Sequence, residues 1–226
     1  GLIHADSRIM IYRNVEDRVR RAAPFLVFDG DPYAAVVGGR LVWIWDAYTT
    51  TDRYPYSQEV NLGEATRSSD KPDGTIQGTA NYIRNSVKAV IDAYDGSVSM
   101  YVFDSTDPII LAWRSMFPEL FKETTEMPAD IRSHVRYPER LFGAQNEIYR
   151  TFHMRFPDAF YNREDLWDIG KTIYSQSENS GGPVPTYVIA TLPGETKSEF
   201  LLLQSFTPRS KDNLIGVMAA RCDPEH

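Results

Sequence analysis

Residues 89–104, "AVIDAYDGSVSMYVFD", decide the fold, because two runs of strand-forming residues lie on either side of an Asp-Gly pair. Such a pair between alternating apolar residues is typical of a β-hairpin closed by a two-residue type I′ turn. A turn at Asp95-Gly96 would fix which residues face each other across the two strands. The predicted pairs are Tyr94–Ser97, Ala93–Val98, Asp92–Ser99, Ile91–Met100, Val90–Tyr101 and Ala89–Val102.

This register predicts a hairpin with two different faces, since successive side chains of a strand point to opposite sides of the sheet. We expect the apolar face to pack in the core and the polar face to be hydrated. The apolar face comprises Ala89, Ile91, Ala93, Val98, Met100 and Val102, and the polar face comprises Lys88, Asp92, Tyr94, Ser97, Ser99 and Tyr101.

The tripeptide Asp-Ala-Tyr occurs twice, at residues 46–48 and at residues 92–94. Each copy lies near the end of a predicted strand, beside a turn or a run of threonines. A carboxylate in such a place can accept hydrogen bonds from turn amides and from Thr or Ser hydroxyls. A structural role therefore suffices for both aspartates, and contact with a ligand is the alternative.

The other patterns alternate between hairpins and helices. Asn14 is a candidate N-cap for a helix over residues 15–25, Gly38-Gly39 is a hairpin signal, and Asp107 and Pro108 mark another helix start. We expect a single α+β domain over residues 1–226, with antiparallel hairpins forming a sheet and a helical block packed on one face. Its parts are a helix and first hairpin (1–60), a long loop (61–79), a second hairpin (80–104), the helical block (105–170), a loop (171–185) and a C-terminal hairpin around Pro193-Gly194 with a final strand (186–226).

Composition and motifs exclude several classes of function. The net charge is -7 and no basic run occurs, so we expect no nucleic-acid partner. The four histidines lack paired ligand spacing and Cys222 is the only cysteine, so we predict no metal site and no cofactor. The chain also lacks a nucleophile elbow, a Walker loop and a dinucleotide fingerprint.

The densest candidate site is "WIWDAYTTTDRYPYS", residues 43–57, which combines five aromatic rings with three charged groups. Flat aromatic rings bury area at low entropic cost, and Arg and Asp orient a partner. We expect Trp43 and Trp45 to fill the core, and residues 81–86, "NYIRNS", to lie beside the remaining patch. The predicted ligand-binding residues are Asp46, Tyr48, Asp52, Arg53, Tyr54 and Tyr56, together with Arg84 and Asp92.

Several long strings resemble a known family. They include "DPYAAVVGGRLVWIWDAYTTTDRYPYS" (31–57), "NYIRNSVKAVIDAYDGSVSMYVFD" (81–104) and "MPADIRSHVRYPERLF" (127–142). In order and spacing they match the bacterial uncharacterised protein family UPF0182, whose members are large multi-pass membrane proteins. The resemblance covers most of the chain and lapses in the two long loops.

The resemblance implies a context for the chain. Members carry several transmembrane helices followed by a large extracytoplasmic region, and this chain looks like an internal part of that region. It implies location at the bacterial cell membrane, with the protein's own transmembrane portion and neighbouring extracytoplasmic segments as partners. The family has no assigned activity or catalytic residues that could be transferred to this sequence.

These observations favour a non-catalytic module that binds a ligand, an envelope protein or a glycan through residues 48–56. The alternative is a cell-envelope enzyme that acts on a wall polymer or lipid and uses Asp46, Asp92 or Asp104 as acid or base. Such carboxylates would have to converge, roughly 5 to 10 Å apart for glycoside chemistry. A structural spacer or assembly surface is a third possibility.

Overall fold

The structure is a computed structural model that describes the chain except for residues 1–3, 5, 8, 10, 66–75, 77, 171–184 and 223–226. Helices and mostly antiparallel strands confirm the predicted α+β class. The helices are α1 (Val15–Ala22), α2 (Leu62–Ala65), α3 (Pro108–Met116), α4 (Ala129–Arg132), α5 (Glu139–Phe152) and α6 (Pro157–Asn162). The strands are β1 (Val27–Phe28), β2 (Tyr33–Val37), β3 (Arg40–Thr51), β4 (Val60–Asn61), β5 (Thr79–Ala80), β6 (Tyr82–Asp92), β7 (Val98–Val102), β8 (Phe121–Glu123), β9 (Trp167–Ile169), β10 (Thr186–Ala190), β11 (Glu199–Pro208) and β12 (Gly216–Arg221).

The chain forms two compact units. Residues 1–50 and 82–132 make up the first unit, and residues 51–81 and 133–226 make up the second. One sheet has the strand order β1-β3-β6-β7-β8, with β2 paired to β3. Another has the order β10-β11-β12, with β9 paired to β11, and β4 pairs with β5 separately. The expectation that residues 1–226 form one domain stays a prediction.

The first hairpin is confirmed at its turn. Strands β2 and β3 are antiparallel, and Val37 pairs with Arg40 across a two-residue loop. Gly38 and Gly39 both have positive φ, 55° and 77°, as a type I′ turn requires. The Gly-Gly pair therefore sets this register, because residues with a Cβ adopt two successive left-handed conformations only with strain.

The second hairpin is confirmed as an antiparallel pair of strands, but its predicted register is wrong by two residues. Ile91 pairs with Val98 and Val90 with Ser99, and the strands are joined by a longer turn. The Asp92 N–H donates to the Ser97 carbonyl at 3.0 Å, and Gly96 has a φ of 69°. The turn is longer because the Asp92 carboxylate accepts hydrogen bonds from amides within it, which a two-residue turn would not allow.

A shift of two residues leaves the two faces of the hairpin unchanged, since the side-chain period of a strand is two. The apolar face is buried at Ala89, Ile91, Met100 and Val102, as predicted, whereas Ala93 lies exposed in the turn. The polar face differs from the prediction. Lys88 and Tyr101 are buried on it, so this face is covered and not hydrated at those two residues.

The core of the first unit lies between its sheet and two helices. Asn14 caps α1, with its Oδ1 accepting from the Glu16 N–H at 2.8 Å, and Asp107 caps α3 before Pro108. Both caps were predicted from sequence. The buried residues of this core include Val19, Leu26, Phe28, Trp45, Ala89, Ile91, Met100, Ile110 and Phe121, with Trp43 partly buried against them.

The predicted helical block of residues 105–170 is mainly helical but contains two short strands. Strand β8 pairs in parallel with β7, and β9 pairs with β11. The prediction missed both, because three residues carry too little periodicity and their pairing depends on distant partners. Helices α3 and α4 belong to the first unit, and α5 and α6 belong to the second.

The second unit contains the C-terminal hairpin. Strands β10 and β11 are antiparallel, β12 pairs with the other edge of β11, and Phe142 of α5 packs against Leu202 and Cys222. The predicted final strand is therefore confirmed. The predicted loop 61–79 is bounded by β4, α2 and β5, and its middle, like residues 171–184 of the other predicted loop, lies outside the described residues.

Candidate ligand-binding loop

Residues 51–57 begin at the last residue of β3 and form a loop whose shape is set by Asn81. The Asn81 Oδ1 accepts a hydrogen bond from the Tyr54 N–H at 2.9 Å, and its Nδ2 donates to the Tyr54 carbonyl at 2.8 Å. The same Nδ2 also donates to the Ser57 carbonyl at 3.3 Å. In return the Ser57 Oγ donates to the Asn81 carbonyl at 3.2 Å, and the Asn81 N–H donates to the Thr51 carbonyl at 3.0 Å. We call residues 51–57 the clasped loop.

The clasped loop presents its large side chains to solvent. Residues 52–59 are all exposed, and the side chain of Arg53 is 91% exposed. Tyr54 is half exposed, and Tyr56 is as accessible as a fully extended tyrosine. Asp52 lies 3.8 Å from Arg53 as an exposed ion pair, which contributes little to stability and leaves both charges available to a partner.

Tyr56 has a left-handed backbone conformation, with a φ of 58°. This conformation costs a residue with a Cβ about 1–2 kcal/mol, and it persists only where surrounding contacts impose it. The contacts of Asn81 with Tyr54 and Ser57 lie on either side of Tyr56 and supply that constraint. The loop is therefore preorganised around its most exposed ring.

Two of the predicted binding residues, Asp46 and Tyr48, lie in the interior. Asp46 forms a buried ion pair with Lys88 of β6, and both side chains are 4% exposed. Tyr48 is fully buried, and its hydroxyl donates a hydrogen bond to the carboxylate of Asp29. In the structure, neither side chain is part of the exposed surface of the clasped loop.

Asp92 organises the turn of the second hairpin. Its Oδ1 accepts hydrogen bonds from the Tyr94 N–H at 2.8 Å and from the Asp95 N–H at 3.3 Å, and its Oδ2 pairs with Arg40 at 2.7 Å. Partial burial raises the pKa of Asp92, but the amides and the guanidinium outweigh that effect and hold the pKa below its usual value. This geometry matches the structural role that the sequence suggested for the second Asp-Ala-Tyr.

Arg84 and Asp104 form another separate contact in the first unit. Arg84 Nη1 lies 3.6 Å from Asp104 Oδ2, and the Arg84 side chain is about half exposed. Asp104 also accepts hydrogen bonds from the Thr106 N–H at 3.0 Å and from the Thr106 hydroxyl at 2.7 Å. The carboxylate of Asp104 thus stabilises the turn that precedes α3.

A buried polar network around Asp107 was not predicted. The Asp107 carboxylate accepts hydrogen bonds from Thr49 of β3, from Ser86 of β6 at 2.6 Å and from the Tyr82 hydroxyl at 2.7 Å. Burial by itself raises the pKa of Asp107. The hydrogen bonds from these three donors and from the Ile109 N–H lower the pKa by more than burial raises it, so the pKa lies below its usual value. Burial and the hydrogen bond to Asp107 raise the pKa of Tyr82 to about 12. The network joins α3 to two strands.

Metal-binding side chains do not cluster in the part of the chain that the structure describes. Within that part, no three His, Cys, Asp or Glu residues come together in an arrangement that could hold a metal ion. The aspartates of the predicted site each have protein partners of their own.

Comparison with known proteins identifies the family. The family model described as "Uncharacterised protein family (UPF0182)" matches residues 1–226. The chain belongs to this family. A UPF0182 protein of Solibacter usitatus is 55% identical over 219 residues, which cover 96% of this chain and 23% of that protein. A UPF0182 protein of Methanospirillum hungatei is 48% identical over 225 residues, which cover all of this chain and 24% of that protein.

The chain corresponds in length to only part of its relatives in UPF0182. The chain spans 22–25% of the length of the curated relatives that it matches here, so these relatives are about four times as long. No solved structure matches the chain. Among the described residues, none of the helices combines the length and the apolar character needed to span a membrane.

The structure therefore separates the predicted binding residues into local groups. Asp52, Arg53, Tyr54 and Tyr56 come together in the clasped loop, whereas Asp46, Tyr48, Arg84 and Asp92 each belong to another network. The residue that sequence reasoning missed is Asn81. The string "NYIRNS" was expected beside the loop, and the structure shows that the amide side chain of its first residue both accepts from and donates to Tyr54.

Proposed function

We propose that the chain is an extracytoplasmic module of a multi-pass membrane protein and that it binds a protein or glycan through the clasped loop, without catalysing a reaction. The observation that carries this proposal is the projection of Arg53, Tyr54 and Tyr56 from a loop held in one shape by Asn81. We further propose the protein's own transmembrane portion and neighbouring segments as partners.

Preorganisation is the physical reason to assign binding to this loop. Binding costs free energy for every flexible side chain and loop that becomes ordered in the complex. A loop that hydrogen bonds already hold in one shape therefore binds at lower entropic cost. Tyr and Arg are enriched among the residues that dominate binding energy, because Tyr presents a large rigid surface and Arg presents several donors. The clasped loop offers both residue types at high exposure.

The local partners of the three candidate acids favour binding over the enzyme alternative. Asp46 is paired with Lys88, Asp92 with turn amides and Arg40, and Asp104 with Thr106. A general acid or base must lie within hydrogen-bond reach of the substrate, whereas each of these carboxylates is already engaged by neighbouring protein groups. These contacts support scaffold roles for all three carboxylates.

The test of this proposal compares three versions of the full-length protein on a glycan array and in pull-downs from envelope extracts. They are the wild type, the double variant Arg53→Ala and Tyr54→Ala, and the control Tyr94→Ala, which removes a similarly exposed ring from a hairpin turn. We expect a partner that the wild type and the control retain and that the double variant loses at least ten-fold. If all three proteins retain the partner equally, the clasped loop does not contribute to binding and the proposal is wrong.

A further inference from the structure

The surface of α5 and α6 carries an exposed apolar patch that is not part of the clasped loop. We call it the α5–α6 patch. Phe156 is 77% exposed, Tyr161 is 87% exposed and Phe152 is half exposed. Its members are Ile148, Phe152, Phe156, Phe160 and Tyr161, all within fourteen residues of sequence.

The two helices meet within the patch. Ile148 and Phe152 lie four residues apart on α5 and therefore share a face. Phe156 is the N-cap of α6, and Phe160 lies within that helix. The rings of Phe152 and Phe160 approach to 5.4 Å between centroids, which joins the two helices.

The other sides of α5 already have partners. Phe142 packs against the C-terminal sheet, and the ring of His153 stacks on Trp167 at 3.7 Å. The face that carries Ile148 and Phe152 is exposed in the described structure. Apolar side chains grouped in this way typically mark a contact with another surface.

We propose that a segment of the same polypeptide outside residues 1–226 covers the α5–α6 patch. The relatives are about four times as long as this chain, so most of such a protein is available to form the contact. Charge argues against an anionic lipid surface as the occupant, because residues 147–165 carry three arginines and four carboxylates. The inference rests on the proposal that other segments of the protein are partners of this chain, but it does not depend on the clasped loop and survives if that loop binds nothing.

A photo-crosslinking experiment on the full-length protein tests the occupant. A benzophenone amino acid replaces Phe156 or, separately, Tyr161, and mass spectrometry maps each adduct after illumination. Tyr187, which stacks on Phe200 at 5.3 Å, is the positive control position and must give an adduct within residues 1–226. Tyr94 in the hairpin turn is the exposed control position. We expect adducts from 156 and 161 on a peptide outside residues 1–226, at five-fold or higher yield than from 94.

Each other outcome overturns the proposal. Adducts on lipid would assign the patch to the membrane surface, and adducts between isotopically distinct copies would assign it to self-association. An adduct on another protein would assign it to an external partner. If the Tyr187 position reacts and neither patch position does, the patch faces solvent.

A substitution gives a second readout in the same full-length protein. Phe156 is the N-cap of α6 without a capping side chain, and aspartate is a preferred N-cap, so Phe156→Asp does not weaken the helix itself. We expect this variant to be cleaved by protease at least three-fold faster than the wild type, since the charge opposes burial of the patch. The control is Leu111→Asp, at an exposed position of α3. Equal rates for all three proteins would contradict the proposal.

Discussion

Breaking the buried ion pair between Asp46 and Lys88 should destabilise the protein strongly, whereas replacing both partners should not. Lys88→Met leaves an uncompensated carboxylate at a site that is 4% exposed, and removing one partner of a buried pair costs about 3–5 kcal/mol. This is a large part of the roughly 5–15 kcal/mol that stabilises a typical protein. With an m-value of about 2–3 kcal/mol/M, the urea midpoint should fall by about 1–2 M.

The double variant Asp46→Leu and Lys88→Met isolates the pair. Replacing a buried ion pair with apolar residues of similar volume is often neutral or stabilising, so we expect its unfolding free energy to lie within about 1 kcal/mol of the wild type or above it. Urea unfolding followed by tryptophan fluorescence measures all four corners of the cycle. The control is Arg84→Met, which breaks an exposed pair and should cost less than about 1 kcal/mol. A cost below about 1 kcal/mol for Lys88→Met, without coupling to Asp46, would refute the buried pair.

Three further predictions test the other networks. The lowered pKa of Asp92 means that its stabilising contribution is full above its unfolded-state pKa and is lost as the pH falls through its folded-state pKa. The difference in unfolding free energy between wild type and Asp92→Asn should therefore shrink as the pH is lowered from 6 to 3, and a constant difference would contradict the assignment. Asp107→Ala removes a helix cap and the shared acceptor of the Thr49 and Ser86 hydroxyls, which lie 3.2 Å apart, so at least one of them loses its acceptor. Chemical denaturation should show a loss of about 2–4 kcal/mol, and a loss below about 1 kcal/mol would be inconsistent with the network. Asn81→Ala removes the acceptor of the Tyr54 N–H, so hydrogen exchange at the Tyr54 amide should accelerate at least ten-fold, with little change at Ile91. Unchanged exchange at Tyr54 would show that contacts other than those of Asn81 hold the loop.

Turn chemistry determined how much of the fold could be predicted from the sequence. At Gly38-Gly39 both turn residues have positive φ, and the predicted hairpin is confirmed with a two-residue turn. At Asp95-Gly96 only the glycine has positive φ, because the Asp92 side chain accepts hydrogen bonds from amides within a longer turn. The dipeptide alone could not reveal this competition, although the two-residue period still placed the faces correctly.

The interior polar contacts could not be predicted, because they join residues that are far apart in sequence. Lys88 was expected on a hydrated face, and only the folded structure shows that it meets Asp46, 42 residues away. Asp107 was correctly predicted as a helix cap, but nothing in the sequence indicated that Thr49 and Ser86 would share its carboxylate.

Only part of the candidate site could be predicted, because some of its contacts also join residues that are far apart in sequence. An aromatic and charged cluster is visible in the sequence, and four of its residues do lie together in the clasped loop. Alternation along a strand could not show that Asp46 and Tyr48 would both be buried, because β3 is covered on both faces at that point. The clasp of Asn81 spans 27 residues of sequence and leaves no local pattern.

The most direct measurement of the central claim is a binding titration with a partner that the wild-type protein retains, comparing Asp92→Asn with the double variant Tyr54→Ala and Tyr56→Ala. If the aspartate maintains the hairpin and the loop makes the contact, Asp92→Asn should bind within two-fold of the wild type at pH 7, and the tyrosine variant should bind at least ten-fold more weakly. The reverse order of affinities would contradict the account.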